Sequence, residues 1–86
     1  MKLLKFYTST CGPCRIQTEW LKQLKDIEIE HINIEDEESI DLVCKYKIRN
    51  VPTLVLLDDK EEVLRVFNGL TKISEITKIL EYHEKE

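Results

Sequence analysis

Two cysteines two residues apart, Cys11-Gly12-Pro13-Cys14, stand where an apolar run gives way to a helical pattern, and no other stretch constrains the chain as tightly. Leu3, Leu4, Phe6 and Tyr7 make up a near-continuous apolar run of strand length, as a central strand covered on both faces requires. From Pro13 to about Lys25, Ile16, Trp20, Leu21 and Leu24 recur at helical spacing, with Arg15, Gln17, Lys22 and Gln23 on the other side. A cysteine at the start of that helix faces unpaired backbone N–H groups and the positive end of the helix dipole, which favour thiolate over thiol. Its pKa is expected below the free value of about 8.5. The thiolate is the attacking species in disulfide exchange, and a second thiol one turn away can attack the mixed disulfide and release the product. Cys11 is therefore expected to start such a reaction and Cys14 to finish it. Gly12 is expected to let the backbone turn tightly, and Pro13 is tolerated in a first helical turn, where its missing N–H would have had no partner.

A chain of 86 residues has room for one core, so a single domain over 1–86 is expected. Apolar residues at 42% and charged residues at 35% fit a soluble globular protein and not a disordered one. A net charge of −4 with a pI near 5.2 argues against nucleic acid as the main partner. A strand pattern begins at Leu3 with no charged-then-apolar leader, and no run of about 18 apolar residues occurs, so a cytoplasmic protein with no membrane partner is expected. Three cysteines do not make a secreted disulfide framework. Zinc would need four ligands, and Cys11, Cys14, Cys44 and one of His31 or His83 are scattered without finger spacing, so no metal is expected.

Further along, Ile27 to Ile34 alternates isoleucine with polar residues, with a slip of phase at His31 that suggests a loop or bulge. Strand, helix and strand in that order imply a parallel pair. An acidic turn, Glu35 to Glu38, leads into a short helix near Ser39 to Tyr46 with Ile40, Val43 and Cys44 turned inward, Cys44 as a small buried apolar residue. Thr53 to Leu57 and Val63 to Phe67, joined by Asp58-Asp59-Lys60-Glu61, predict an antiparallel hairpin. Thr71 is a candidate cap for a last helix with Ile73, Ile76, Leu80 and His83 on one face. Eight acidic residues and no Lys or Arg lie between Asp26 and Cys44, which reads as a solvated, strongly negative flank. Trp20 is expected in the core, and His31 and His83 at the surface.

Three stretches together resemble thioredoxin. Cys11-Gly12-Pro13-Cys14 is similar to the family's active-site sequence, Arg49-Asn50-Val51-Pro52-Thr53 to its cis-proline loop, and Asn68-Gly69-Leu70 to its glycine loop. They stand in the family's order and span nearly the whole chain. A lone Cys-x-x-Cys beside a strand–helix–strand pattern points the same way. The match begins at the family's central strand, which implies a short form of glutaredoxin size without the usual first strand and helix. The implied fold is α/β, a minimal thioredoxin fold: a four-stranded mixed sheet in the order 2-1-3-4 with helices on both faces. The resemblance also implies a cis Val51-Pro52 bond beside the cysteines, with Val51, Pro52 and Gly69 binding an extended substrate and Tyr7 under the site. In the active-site loop Thr10, Gly12 and Pro13 flank the thiols. Thr10 replaces the family's usual tryptophan, which removes an apolar cover. Lys5 replaces its buried acid, so it is a possible modulator of the thiols if its ammonium stays near them, and otherwise a side chain that snorkels to solvent; snorkelling is the expectation.

The function implied is that of an enzyme, a thiol–disulfide oxidoreductase that reduces protein disulfides with no cofactor. Its partners would be disulfide-containing proteins and an external reductase resembling thioredoxin reductase. A monomer is expected, since no helix carries an obvious second apolar stripe. Two rivals share the fold: a glutaredoxin-like reductase coupled to glutathione, and a non-catalytic binding module in which the thiols are incidental.

Overall fold

The computed structural model describes residues 1–84, so the last two residues of the expected 1–86 unit lie outside the described residues. Strand β1 (Lys2–Tyr7) lies in the middle of a four-stranded sheet, between β2 (Glu28–Asn33), with which it runs parallel, and β3 (Thr53–Leu57), with which it runs antiparallel. Strand β4 (Val63–Asn68) closes the other edge as the hairpin partner of β3, giving the order 2-1-3-4. The β1–β2 register runs unbroken from Lys2 opposite Glu28 to Tyr7 opposite Asn33, so no bulge interrupts β2 at His31. The slip in its pattern has another cause: Ile29 packs into the core on one face of the sheet and Ile32 into the core on the other.

Helices cover both faces. On one, α1 (Gly12–Leu21) and α3 (Ile73–Glu84) pack through Leu21, Ile73, Ile76 and Leu80 against Leu3, Leu54, Leu56 and Phe67. On the other, α2 (Ile40–Lys45), entered through a short 3₁₀ turn at Glu37–Ser39, packs through Leu42 and Val43 against Leu4, Phe6, Val55 and Leu57. Alternation along β1 and β3 sends successive side chains into the two cores in turn.

Several side chains depart from the sequence expectation. The helix α1 ends at Leu21, and its buried stripe is Cys14, Gln17 and Leu21, spaced by three and four residues, while Ile16 is 47% exposed. Gln17 is fully buried because its amide satisfies the backbone of Thr71, which an apolar side chain could not do. Trp20 is only partly buried and lines a shallow groove with Lys72 and Ile73. In α2 the inward positions are Leu42 and Val43, and Ile40 and Cys44 are exposed. Thr71 does not cap α3 through its hydroxyl, which donates to Gly69 O at 3.0 Å. Lys5 does not snorkel: it is 2% exposed, because β1 has a strand on each side and α1 above this face.

Candidate active site

Cys11 occupies the N-cap of α1, in extended conformation with φ −86° and ψ 109°, and Pro13 falls in the first turn, as a residue without an N–H can. The Cys11 Sγ accepts a hydrogen bond from the Cys14 N–H at 3.1 Å, so the sulfur sits against a donor that the helix leaves unpaired. Cys11 and Cys14 form a disulfide with Cα atoms 5.2 Å apart. The two sulfurs' environments differ: Cys11 is partly exposed and Cys14 is 2% exposed. Gly12 does not adopt the left-handed backbone, and a Cβ there would meet open space. Its bareness, with Thr10 and Pro13 also exposed, leaves the outer side of the disulfide open to a partner.

The loop before Cys11 is tied down from two directions. Ser9 donates through its N–H and its hydroxyl to Glu35 Oε1, at 3.0 and 2.9 Å, and these donors, the backbone one first, hold the Glu35 carboxyl below its ordinary pKa. Arg15 Nη2 donates to Ser9 O at 3.2 Å, and Cys11 N–H to Thr8 O at 3.3 Å.

The Val51–Pro52 peptide bond is cis. Pro52 is buried and Val51 partly so, and Thr53 Oγ1 donates to Asn50 O at 2.8 Å, which closes the loop in front of β3. Gly69 N–H donates to Pro52 O at 2.9 Å, joining the two loops that the sequence singled out. Gly69 has φ 80°, a backbone region that side chains disfavour, and so glycine is needed there. Two residues on, Thr71 N–H donates to Gln17 Oε1 at 2.8 Å and Gln17 Nε2 donates to Thr71 O at 3.0 Å. This reciprocal pair fastens the glycine loop to α1, three residues after Cys14. Gln17 was missed as a site residue; its position three after Cys14 and four before Leu21 was the available signal.

Beneath the loop lies a cavity of about 330 Å³ whose walls include Lys5, Cys14, Arg15, Thr18 and His31. Lys5 Nζ donates to Thr18 Oγ1, which in turn donates to Cys14 O at 3.0 Å, and Nζ also lies 4.9 Å from the centre of the Tyr7 ring. Burial pushes the Lys5 ammonium's pKa down from its ordinary value. His31, directly opposite Lys5 in the β1–β2 register, is pushed down as well, first by burial and then by the Lys5 charge. Among the described residues no group of three or more His, Cys, Asp or Glu side chains is gathered to hold a metal ion, and no helix is long and apolar enough to cross a membrane.

Comparison with known proteins places this geometry. The family model for thioredoxin matches residues 1–82. A thioredoxin of Chlamydia pneumoniae is 35% identical over 85 residues, covering 94% of this chain and 80% of its own, and one of Staphylococcus epidermidis is 27% identical over 86 residues, covering 96% and 82%. The solved structure of thioredoxin 1 from Thermosipho africanus superposes with a TM-score of 0.79 at 26% identity, covering 99% of this chain and 96% of that one.

Proposed function

This chain belongs to the thioredoxin family and is a thiol–disulfide oxidoreductase, and we propose that it reduces protein disulfides with Cys11 as the attacking thiolate and Cys14 as the resolving one. The observation that carries the assignment is the contrast between a partly exposed Cys11 at a helix N-cap and a buried Cys14. A substrate can reach only the first, and the helix end favours its ionised form.

In the first step the Cys11 thiolate attacks one sulfur of a substrate disulfide; a Cys11–substrate bond forms, the substrate's S–S bond breaks, and its other sulfur leaves as thiolate. Cys14, as thiolate, then attacks the Cys11 sulfur, forming the internal disulfide and releasing the second substrate sulfur. Two electrons pass from the protein's dithiol to the substrate, and solvent protonates the products. An external reductase of the thioredoxin-reductase kind returns the pair to dithiol, with no bound cofactor. The open outer face at Thr10, Gly12 and Pro13 admits the substrate chain, and Val51, Pro52 and Gly69 bind it; the hydrogen bond between Gly69 and Pro52 supports treating those two loops as one surface. Lys5 stands in the same cavity wall as Cys14 and favours thiolate over thiol in the reduced pair, which makes the disulfide more oxidising. On this reading the chain works as one domain, a cytoplasmic monomer.

The test is trapping on insulin as a disulfide substrate. Cys14→Ser is expected to accumulate a stable mixed disulfide at Cys11, seen by mass spectrometry, and Cys11→Ser to accumulate none. Equal trapping by the two variants would overturn the assignment of roles, and absence of insulin reduction by the wild-type dithiol would return the binding-module reading.

A further inference from the structure

The cavity beneath the active-site loop holds more positive charge than the described residues balance. Lys5, Arg15 and His31 line it together with the hydroxyl-bearing Thr8, Ser9, Thr18 and Tyr7, and no carboxylate does. Lys5 reaches it from the centre of the sheet, almost wholly covered, and a buried ammonium ordinarily demands a counter-charge. It has none here. Among the described residues Lys5 takes part in no ion pair, and its partners are the Thr18 hydroxyl and the face of the Tyr7 ring, so its other N–H groups have no protein acceptor.

The nearby acids are engaged elsewhere. Glu35, at the loop, is exposed and bound to both Ser9 donors. Glu30, next to His31 in sequence, alternates to the other side of the strand and pairs with Lys2 Nζ at 2.6 Å. His31 adds a second titratable nitrogen base opposite Lys5, and both are disfavoured as cations by burial, His31 by the Lys5 charge as well.

We propose that this cavity is a binding site for a small free oxyanion of the phosphate or sulfate kind, held by Lys5 with the Arg15 guanidinium and the His31 imidazole flanking it. Such an ion supplies acceptors for the spare Lys5 N–H groups and the counter-charge that none of the described residues gives, and its several oxygens suit the further N–H groups of Arg15 and the hydroxyls of Thr8 and Tyr7. The space is ample for it, at about 330 Å³. The groups line the cavity while Cys11 and Cys14 are joined as a disulfide, so the oxidised protein presents the site.

The experiment is therefore done on the oxidised full chain, where failure of the reductase reading has no bearing on it. Amide and His31 imidazole NMR signals are followed during titration with sodium phosphate, against sodium chloride at matched ionic strength to remove screening. The expected result is a single saturable transition confined to Lys5, Ser9, Thr18 and His31, with the His31 titration midpoint rising as the ion binds. Lys5→Met is expected to weaken binding at least about tenfold, which is ~1.4 kcal/mol. If Lys5→Met fails to fold, Arg15→Gln and His31→Gln are each expected to weaken binding by roughly threefold. Shifts that never saturate, that spread over exposed lysines, or that persist unchanged in these variants would overturn the site.

Discussion

The two faces of β1 make a controlled comparison, since they share one backbone and the same flanking strands. Toward α2 the strand sends Leu4 and Phe6 into a core of Ile32, Val55 and Leu57, with the Phe6 and Tyr46 rings 6.2 Å apart. Toward α1 it sends Leu3, which joins a core with Leu21 and Leu54, and then Lys5, where apolar packing stops and the cavity beside Cys14 begins. The first face is filled along its length and the second only at the end away from the disulfide. The fold is secured by one side of the strand and by the far half of the other, and the remaining half is given to charge and open space at the reacting sulfurs.

The largest break in that comparison comes from the filled face. Phe6→Ala removes a fully buried ring and is expected to cost about 3–5 kcal/mol of stability. Urea unfolding of the oxidised protein measures it. The reduction potential of what remains folded is expected to stay where it was, because Phe6 points away from Cys14; a potential that moved with this variant would mean that the two faces are not independent.

Next in size is the tie between α1 and the glycine loop. Gln17→Leu fills the same stripe but leaves Thr71 without both of its amide partners in a buried setting. Two unsatisfied backbone groups are expected to cost about 2–4 kcal/mol together. The loop bearing Gly69 should lose protection in hydrogen exchange while the strands keep theirs. Uniform loss of protection would show that Gln17 supports the whole fold and not the site.

On the cavity face the expected change is in the redox couple. Lys5→Met removes a cation from the wall that Cys14 shares. Reduced thiolate loses support, so the potential should become more negative, by about 30 mV for a loss of ~1.4 kcal/mol in this two-electron couple. Equilibration in dithiothreitol or glutathione buffers with trapping of thiols reads it. Stability is expected to hold or rise, because a buried charge without a counter-ion is replaced by an apolar chain. A potential that did not move would remove Lys5 from the account of the site.

The same contrast explains what could be read from the sequence. Strand β3 was legible to the residue, Thr53 to Leu57, because a strand buried on both faces is a plain apolar run between turns. The order of the sheet came with the family resemblance and not from spacing, since periodicity identifies strands but does not rank them in space. The stripe of α1 was misphased because apolarity alone points to Ile16, whereas Gln17 is drawn in by backbone groups of a loop 54 residues away. The helix α2, six residues long, has too few turns for its period to choose between Cys44 and Leu42. Lys5 was the most instructive departure. Its place in the middle of an apolar run already required a covered side chain, and only the preference of lysines for water argued otherwise. The spacing of Cys11 and Cys14 announced the chemistry, but their unequal exposure depends on how α1 lies on the sheet.

The smallest effect is a dependence of stability on pH that the filled face cannot produce. Lys5 and His31 both have folded-state pKa values below their ordinary ones, 10.5 and 6.5. Between the folded and the ordinary value of each group the unfolded chain binds more protons, so stability rises with pH through that window. The penalty is complete below the folded value and absent above the ordinary one. The wild type is therefore expected to lose stability relative to His31→Gln as pH falls below 6.5, and to gain on Lys5→Met as pH climbs toward 10.5. Paired urea titrations across pH measure both differences. For His31, which is exposed, the difference is expected to be slight, and adding phosphate should reduce it by supplying the counter-charge. A difference of the opposite sign at either end would mean that the group is stabilised as a cation by a partner in the chain, and would leave the cavity without an unbalanced charge.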